Sequence, residues 1–364
     1  LRVRAVHPEA AHPLLERLGA VAAGPRAVLD RPEVAAAVAA SADDEEDGEA
    51  VAEAVLTLVA EAVAAGELDG DRSSRDVLTR LGELALVDDR GEAAPASALA
   101  LPGTPAAEIF DPEEIGLVDT ALVRRWGGDV LRAVGVLDGV AVLHATDVPL
   151  AEVVGGSTPS DRDDPDGPDD PAALDGWQDW VDGVLDRMDR ADAQGALPPD
   201  AVITELSAVR DLDAVRDGSW PEALRLLAAD PDARAAIVRP ARVVAPGRSL
   251  DVPSYTAWWL RSRLAAGGAV ADPDADPALC ALLPAAPELL AGLDPELRTA
   301  LGVVSRWEDL DVDAVPPVLD RLADASLALD LPAALAVWRR LADLVAAHPE
   351  LPDLVSADSV GVDA

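Results

Sequence analysis

The chain has 364 residues, more than one ordinary hydrophobic core serves, so two or three domains or subdomains are expected. Its 29 basic residues, all arginine, stand against 68 acids. The resulting net charge of −39 repels nucleic acid and anionic membrane surfaces, and no basic stripe along the chain offsets it.

The chain opens inside what reads as ordered sequence, Arg2-Val3-Arg4-Ala5-Val6, and closes in a strand-like run at Ala364. Both ends look cut, so a fragment of a longer polypeptide is expected. His7 to Ala20 holds a helix with Leu14, Leu15 and Leu18, ended by Gly19. Asp30 is placed to cap a helix over Pro32–Ala40, with proline tolerated in the first turn. After an acidic loop at Asp43–Asp47, Glu49–Ala65 is amphipathic, with Val51, Val55, Leu58, Val59 and Val63 on one face and Gly66 as its stop. A short helix is expected at Asp76–Leu81. Leu84–Val87 and Ser97–Leu101 flank Asp88-Asp89-Arg90-Gly91 as a first hairpin. Asp119 caps a helix with Leu122, Val123 and Trp126; Asp129 caps Val130–Val134; and Val136–His144 is a strand interrupted at Asp138-Gly139.

Gly155–Asp175 is the clearest linker, with seven aspartates against one arginine, too polar and proline-rich to fold alone. Beyond it Leu174, Trp177, Val181, Val184 and Met188 recur at the period of a packed helix face, and Val202–Leu206 is a strand. Ser219-Trp220-Pro221-Glu222 has the capping-box pattern. The most specific stretch follows, Arg239–Leu264. Val243, Val244, Leu250 and Val252 flank the turn Pro246-Gly247-Arg248, and Pro253 ends the second strand. Ser254 caps a helix carrying Tyr255, Trp258, Trp259 and Leu260. Adjacent tryptophans lie about 100° apart on a helix, so at least one is expected to be buried. The last block is helical: Asp294-Pro295-Glu296 starts a helix ended by Gly302, Pro316-Pro317 opens one with Val318, Leu319 and Leu322, and Asp330 caps one with Leu335, Trp338, Leu341 and Val345.

These elements group as 1–105, a helical module with the first hairpin; 106–154, short helices plus a strand; 155–173, the acidic linker; 174–266, a helical module with the second hairpin; 267–283, a loop; and 284–364, a helical module cut at a possible third hairpin. Similar helix endings at Leu14–Ala20, Leu131–Val136 and Leu297–Val303 suggest an irregular internal repeat. The predicted fold class is α+β, predominantly helical, built of repeated helical modules that each bear a short β-hairpin.

Several chemistries are closed to these residues. Without lysine there is no Walker-type phosphate loop, and a Rossmann glycine fingerprint and an HExxH motif are missing too. Cys280, alone, builds neither an intramolecular disulfide nor a cysteine-rich zinc site, and it fits a reducing cytoplasm. His7, His12, His144 and His348 are scattered. Asp161–Asp170 fails the calcium-loop pattern, because Gly167 in sixth place puts Arg162 first and Ala173 twelfth. No apolar run reaches membrane-spanning length, and the opening residues do not form a signal peptide. No catalytic, cofactor-binding or metal residue is assigned. Trp258 and Trp259 either anchor their helix to a core or form an aromatic partner-binding surface. A stand-alone acidic interaction scaffold is one reading of the whole; an enzyme using a carboxylate pair and a metal is another.

Three runs, Glu108–Gly139, Ala208–Ala228 and Asp251–Arg261, resemble large actinobacterial ATP-binding proteins that carry a sacsin-type ATPase domain of the heat shock protein 90 (Bergerat) kind. The likeness extends from about Leu14 to Val345. That family's nucleotide site uses an asparagine on a helix, an aspartate in a glycine-bearing turn and a glycine-rich lid. This chain has no asparagine, so none of those roles transfers to it. The resemblance implies that ATP and magnesium bind an ATPase domain preceding Leu1, and that this region is non-catalytic. Its partners would then be protein clients or that ATPase domain, in a cytoplasmic, chaperone-like molecule.

Overall fold

The computed structural model describes residues 24–42, 45–68, 80–150, 170–190, 201–265, 267–311, 314–324 and 327–347. The expected elements at Arg2–Val6, His7–Ala20 and Asp353–Ala364, most of Asp76–Leu81 and the linker through Asp169 lie outside them. The described chain is α+β with helices dominant, and it divides into two compact units. One takes the chain up to Ala141 together with Asp211–Leu226; the other takes Leu174–Arg210, the strand that starts at Val142, and the chain from Leu227.

The first unit opens with α1 (Pro25–Leu29), α2 (Pro32–Ala39) and α3 (Glu45–Ala64). The apolar period of α3 buries Val55, Leu56, Val59 and Ala62, with Val51, Leu58 and Val63 half-buried at the flanks. Asp30 does not cap α2. It closes α1 in helical conformation (φ −70°, ψ −4°), its amide donating to the Arg26 carbonyl at 2.9 Å, and an N-cap needs extended backbone. That place falls to Arg31.

The first hairpin also differs from expectation. β1 (Ala85–Val87) pairs antiparallel with β2 (Ala93–Pro95), ahead of Ser97–Leu101. Asp88 explains the early closure: its carboxylate accepts from the Arg90 and Glu92 amides, both at 2.8 Å, and folds the turn back at once. β3 (Leu99–Ala100) runs parallel to β4 (Gly116–Leu117), with α4 (Pro105–Ile109) between them. Asp119 caps α5 (Thr120–Trp126) as expected. α6 (Gly128–Ala133) starts earlier than expected, on Gly127, which leaves Asp129 inside its first turn. The expected strand Val136–His144 is split. Leu137 stays in this unit, exchanging 2.8 Å backbone bonds with Leu99 and Leu101, and the chain breaks at Asp138-Gly139. The core gathers Val34, Val38, Val55, Leu84, Leu99 and Leu131. Asp211–Leu226 is pinned to the end of α4 by Asp111 N–H to Ala214 O at 2.8 Å and Arg216 N–H to Ile109 O at 3.0 Å.

In the second unit, β5 (Val142–Pro149), β6 (Val202–Val209), β7 (Ala241–Ala245) and β8 (Arg248–Val252) form one antiparallel sheet in that order. α7 (Trp177–Arg190) lies between β5 and β6 in sequence, and α8 (Trp220–Ala229) and α9 (Pro231–Val238) lie between β6 and β7. The capping-box residues of α8 have other bonds: Ser219 Oγ donates to the Glu108 carbonyl at 3.3 Å, and Glu222 pairs with Arg225. The β7–β8 turn is Pro246-Gly247, with Gly247 at φ +82°, the backbone of a type II turn. The sheet buries Leu143, Ile203, Leu206, Val243 and Val252, and α9 and α10 (Tyr255–Leu264) pack against its strand β6. His144, Thr146, Arg242, Ser249 and Asp251 are exposed.

The chain then forms β9 (Val270–Ala271), α11 (Pro277–Leu282), α12 (Pro295–Ala300), β10 (Val303–Val304), α13 (Val315–Ala323) and α14 (Leu331–Ala347). β9 and β10 pair in parallel. Aspartate begins helix after helix here. Asp230, Asp276, Asp294 and Asp330 each accept from amides of the following turn at 2.8–3.2 Å. Part of the acidic composition is therefore helix capping, with a negative charge at the positive end of the helix dipole.

Gly302 follows α12 at φ +81°, and a Cβ built there would lie 2.8 Å from Arg261 Nε. Gly302→Ala is expected to cost about 1–3 kcal/mol from backbone conformation alone, and more if Arg261 is displaced. Urea unfolding measures it; an unchanged midpoint would show that the turn relaxes freely.

Candidate functional site

Three places combine unusual residues with defined geometry, and all belong to the second unit.

The first contains Trp258 and Trp259. Ser254 starts α10, its hydroxyl accepting from the Ala257 amide at 3.1 Å and donating to the Ile237 carbonyl at 2.9 Å. That cap fixes the rotation of the helix. Trp259 is 8 % exposed, and its indole N–H donates to Asp175 Oδ2 at 2.9 Å. Trp258 is half-buried, with its ring over Gly176 and its centroid 6.1 Å from that of Tyr255. Tyr255 packs 6.0 Å from Trp177 and edge-on to Trp180 at 6.1 Å. The polar tips converge on two backbone sites: Tyr255 O–H donates to the Asp175 carbonyl at 2.6 Å, and Trp180 N–H to the Pro253 carbonyl at 3.3 Å. Sequence spacing identified the face of α7 and the adjacent tryptophans. It did not show that α7 and α10 face each other, which makes the cluster a packed anchor.

The second place lies just beyond the parallel strands β9 and β10. Asp272 accepts from Ser305 Oγ at 2.8 Å, from the Asp274 amide at 3.1 Å, and from the Arg298 guanidinium. The Asp272 and Arg298 side chains are 11 % and 20 % exposed. Burial alone would raise the Asp272 carboxyl, but the Asp274 amide, the Ser305 hydroxyl and Arg298 together outweigh it and hold the group below the usual carboxylate range. The result is a firmly anionic acceptor that ties two strand ends to α12. Beside it, the Cys280 thiol lies 3.5 Å from the Asp272 carbonyl.

The third place is α14. Asp330 caps it as expected, but the buried face is Val337, Leu341 and Leu344. Of the apolar set expected to pack, only Leu341 does. Leu335, Trp338 and Val345 are 44 %, 60 % and 41 % exposed, and Leu331 is 73 % exposed. Arg340 fixes this orientation by donating to the carbonyls of Glu308 and Leu310. The helix is apolar on two faces, and the core takes one.

Of the histidines, His144 is described: exposed on β5, its Nδ1 lies 3.1 Å from Ser207 Oγ, a cross-strand pair. Most of Asp161–Asp170 lies outside the described residues, among which no cluster of three or more His, Cys, Asp or Glu is placed to hold a metal ion. Among the same residues no helix is long and apolar enough to cross a membrane. No protein-family model, curated protein or solved structure matches the chain.

Proposed function

We propose that this chain is a non-catalytic, protein-binding region of a sacsin-type, ATP-binding, chaperone-like protein, cytoplasmic, with ATP and magnesium bound on another domain of the parent. The observation that carries the protein-binding role is the stripe Leu331, Leu335, Trp338 and Val345, which with Val87 are the exposed large apolar residues among those described. On this reading the helix endings at Leu14–Ala20, Leu131–Val136 and Leu297–Val303 are copies of one helical module bearing a hairpin, and the region relays the ATPase state or holds protein. The carboxylates described above support it, since they cap helices, fold a turn, accept from an indole or join ion pairs.

The test pairs calorimetry with an aggregation assay. Residues 1–364 should give no heat with magnesium–ATP, yet slow the aggregation of chemically denatured citrate synthase at near-stoichiometric amounts. Micromolar ATP binding by this chain would overturn the placement of the nucleotide site elsewhere. No protection, with or without the parent's ATPase domain, would overturn the holding role.

A further inference from the structure

We infer that the exposed stripe of α14 pairs with the same stripe on a second copy of this chain, as two antiparallel helices. This rests on the reading of α14 as a protein-binding surface and names its occupant. Leu331, Leu335, Trp338, Ala342 and Val345 recur by four and three residues, the seam spacing of paired helices, and Ala342 is exposed like the rest. Their buried neighbours Val337, Leu341 and Leu344 hold one side of the seam against the core. The other side carries Arg339 and Asp343, both exposed.

The order of sizes along the seam is self-complementary. An antiparallel pairing that sets Trp338 over Ala342 of the second copy gives a large ring a small residue to cover, and does so twice by symmetry. The same register sets Leu335 against Val345 of the second copy. It also leaves Arg339 level with Leu341 of the second copy and about 3 Å along the axis from its Asp343, within reach of an arginine side chain, again twice.

Local charge does not oppose pairing at this place. Two copies at −39 each repel one another, but residues 331–347 carry Arg339, Arg340 and Asp343, a local balance of 2 − 1 = +1. The four large side chains expose roughly 400 Å² of apolar surface, the size at which patches mark interaction sites. Two copies would then bury about 800–1,000 Å², below the range of stable contacts and in that of weak, transient ones, so a reversible dimer in the micromolar range is expected. Added salt should tighten it by screening the repulsion between the two acidic bodies.

Sedimentation equilibrium of the 364-residue chain, over a concentration series at low and high salt, tests this. The parent should show a monomer–dimer equilibrium at least tenfold tighter at about 0.5 M salt than at about 0.02 M. Trp338→Ala and Leu335→Glu should each weaken it tenfold or more while leaving the melting temperature nearly unchanged, because both positions face solvent. Arg339→Asp and Asp343→Arg should each weaken it, and the double variant R339D/D343R should restore it. That rescue separates self-pairing from a foreign partner, whose charges would not change with this chain's, and an unchanged melting temperature in all three variants separates it from the i,i+4 pair within one helix. A parent that stays monomeric throughout, a dimer indifferent to Trp338→Ala, or a double variant that fails to recover would each overturn the inference. If self-association fails these tests while Trp338→Ala still abolishes protection of citrate synthase, the pairing falls and the protein-binding reading stands. If neither depends on Trp338, both fall.

Discussion

Alanine in place of Trp259 is expected to lower the stability of the chain by about 3–5 kcal/mol, the range for a buried aromatic cut back to a methyl group. The indole is 8 % exposed, so the substitution opens a cavity between α10 and its neighbours that the surrounding rings fill only in part. It also removes the 2.9 Å bond to Asp175 Oδ2. Trp258→Ala should cost about 1–2 kcal/mol, because that ring is half-buried and its indole lies against Gly176 at the edge of the cluster. Urea unfolding of the two variants beside the parent measures both. Equal losses, or a Trp259→Ala variant as stable as the parent, would show that the α7–α10 cluster does not anchor this part of the protein.

Asp272→Ala is expected to cost about 3–5 kcal/mol, since it leaves the mostly buried Arg298 charge without its partner. Ser305 loses its acceptor in the same step. The effect has a pH signature. The folded carboxyl sits below its unfolded value of about 3.9, so its contribution is complete above about pH 4 and is lost as pH falls through the lower, folded value. Parent and Asp272→Asn should therefore differ most near neutrality and converge in acid. A gap that holds constant down to pH 2 would mean that the carboxylate charge is not what stabilises the strand ends. A gap that widens on acidification would reverse the sign of the shift.

Both variants fall at contacts far apart in sequence, and that separates what was legible beforehand from what was not. Some helix starts were legible where an aspartate or serine precedes proline or an apolar run: Asp119, Ser254, Asp294 and Asp330 cap the helices assigned to them, whereas Asp230 and Asp276, each before a proline, cap α9 and α11, which were not expected. The β7–β8 hairpin was legible for the same reason, since proline and glycine dictate its turn. Such bonds close within about four residues, so neighbouring side chains decide them. Where a second local bond competed, the first reading failed. Asp30 ended one helix before it could start the next, and Asp88 closed its hairpin across the five residues 88–92 instead of the expected nine.

By itself the sequence determined the α+β, mainly helical class, the strong acidity, the lack of a lysine-bearing phosphate loop and of a cysteine-rich zinc site, and several helix starts. Only the tertiary structure decided that β5 and β6 complete a sheet with the hairpin, that Asp175 bonds Trp259 across 84 residues, and that Asp272 meets Ser305 across 33. It also decided which side of α14 is buried. A periodic pattern reports that a helix has an apolar side; when two sides are apolar, the choice belongs to whichever surfaces the rest of the chain brings to meet it. Here Val337, Leu341 and Leu344 join a core with Leu310, Val315 and Val318, and Trp338 is left facing water.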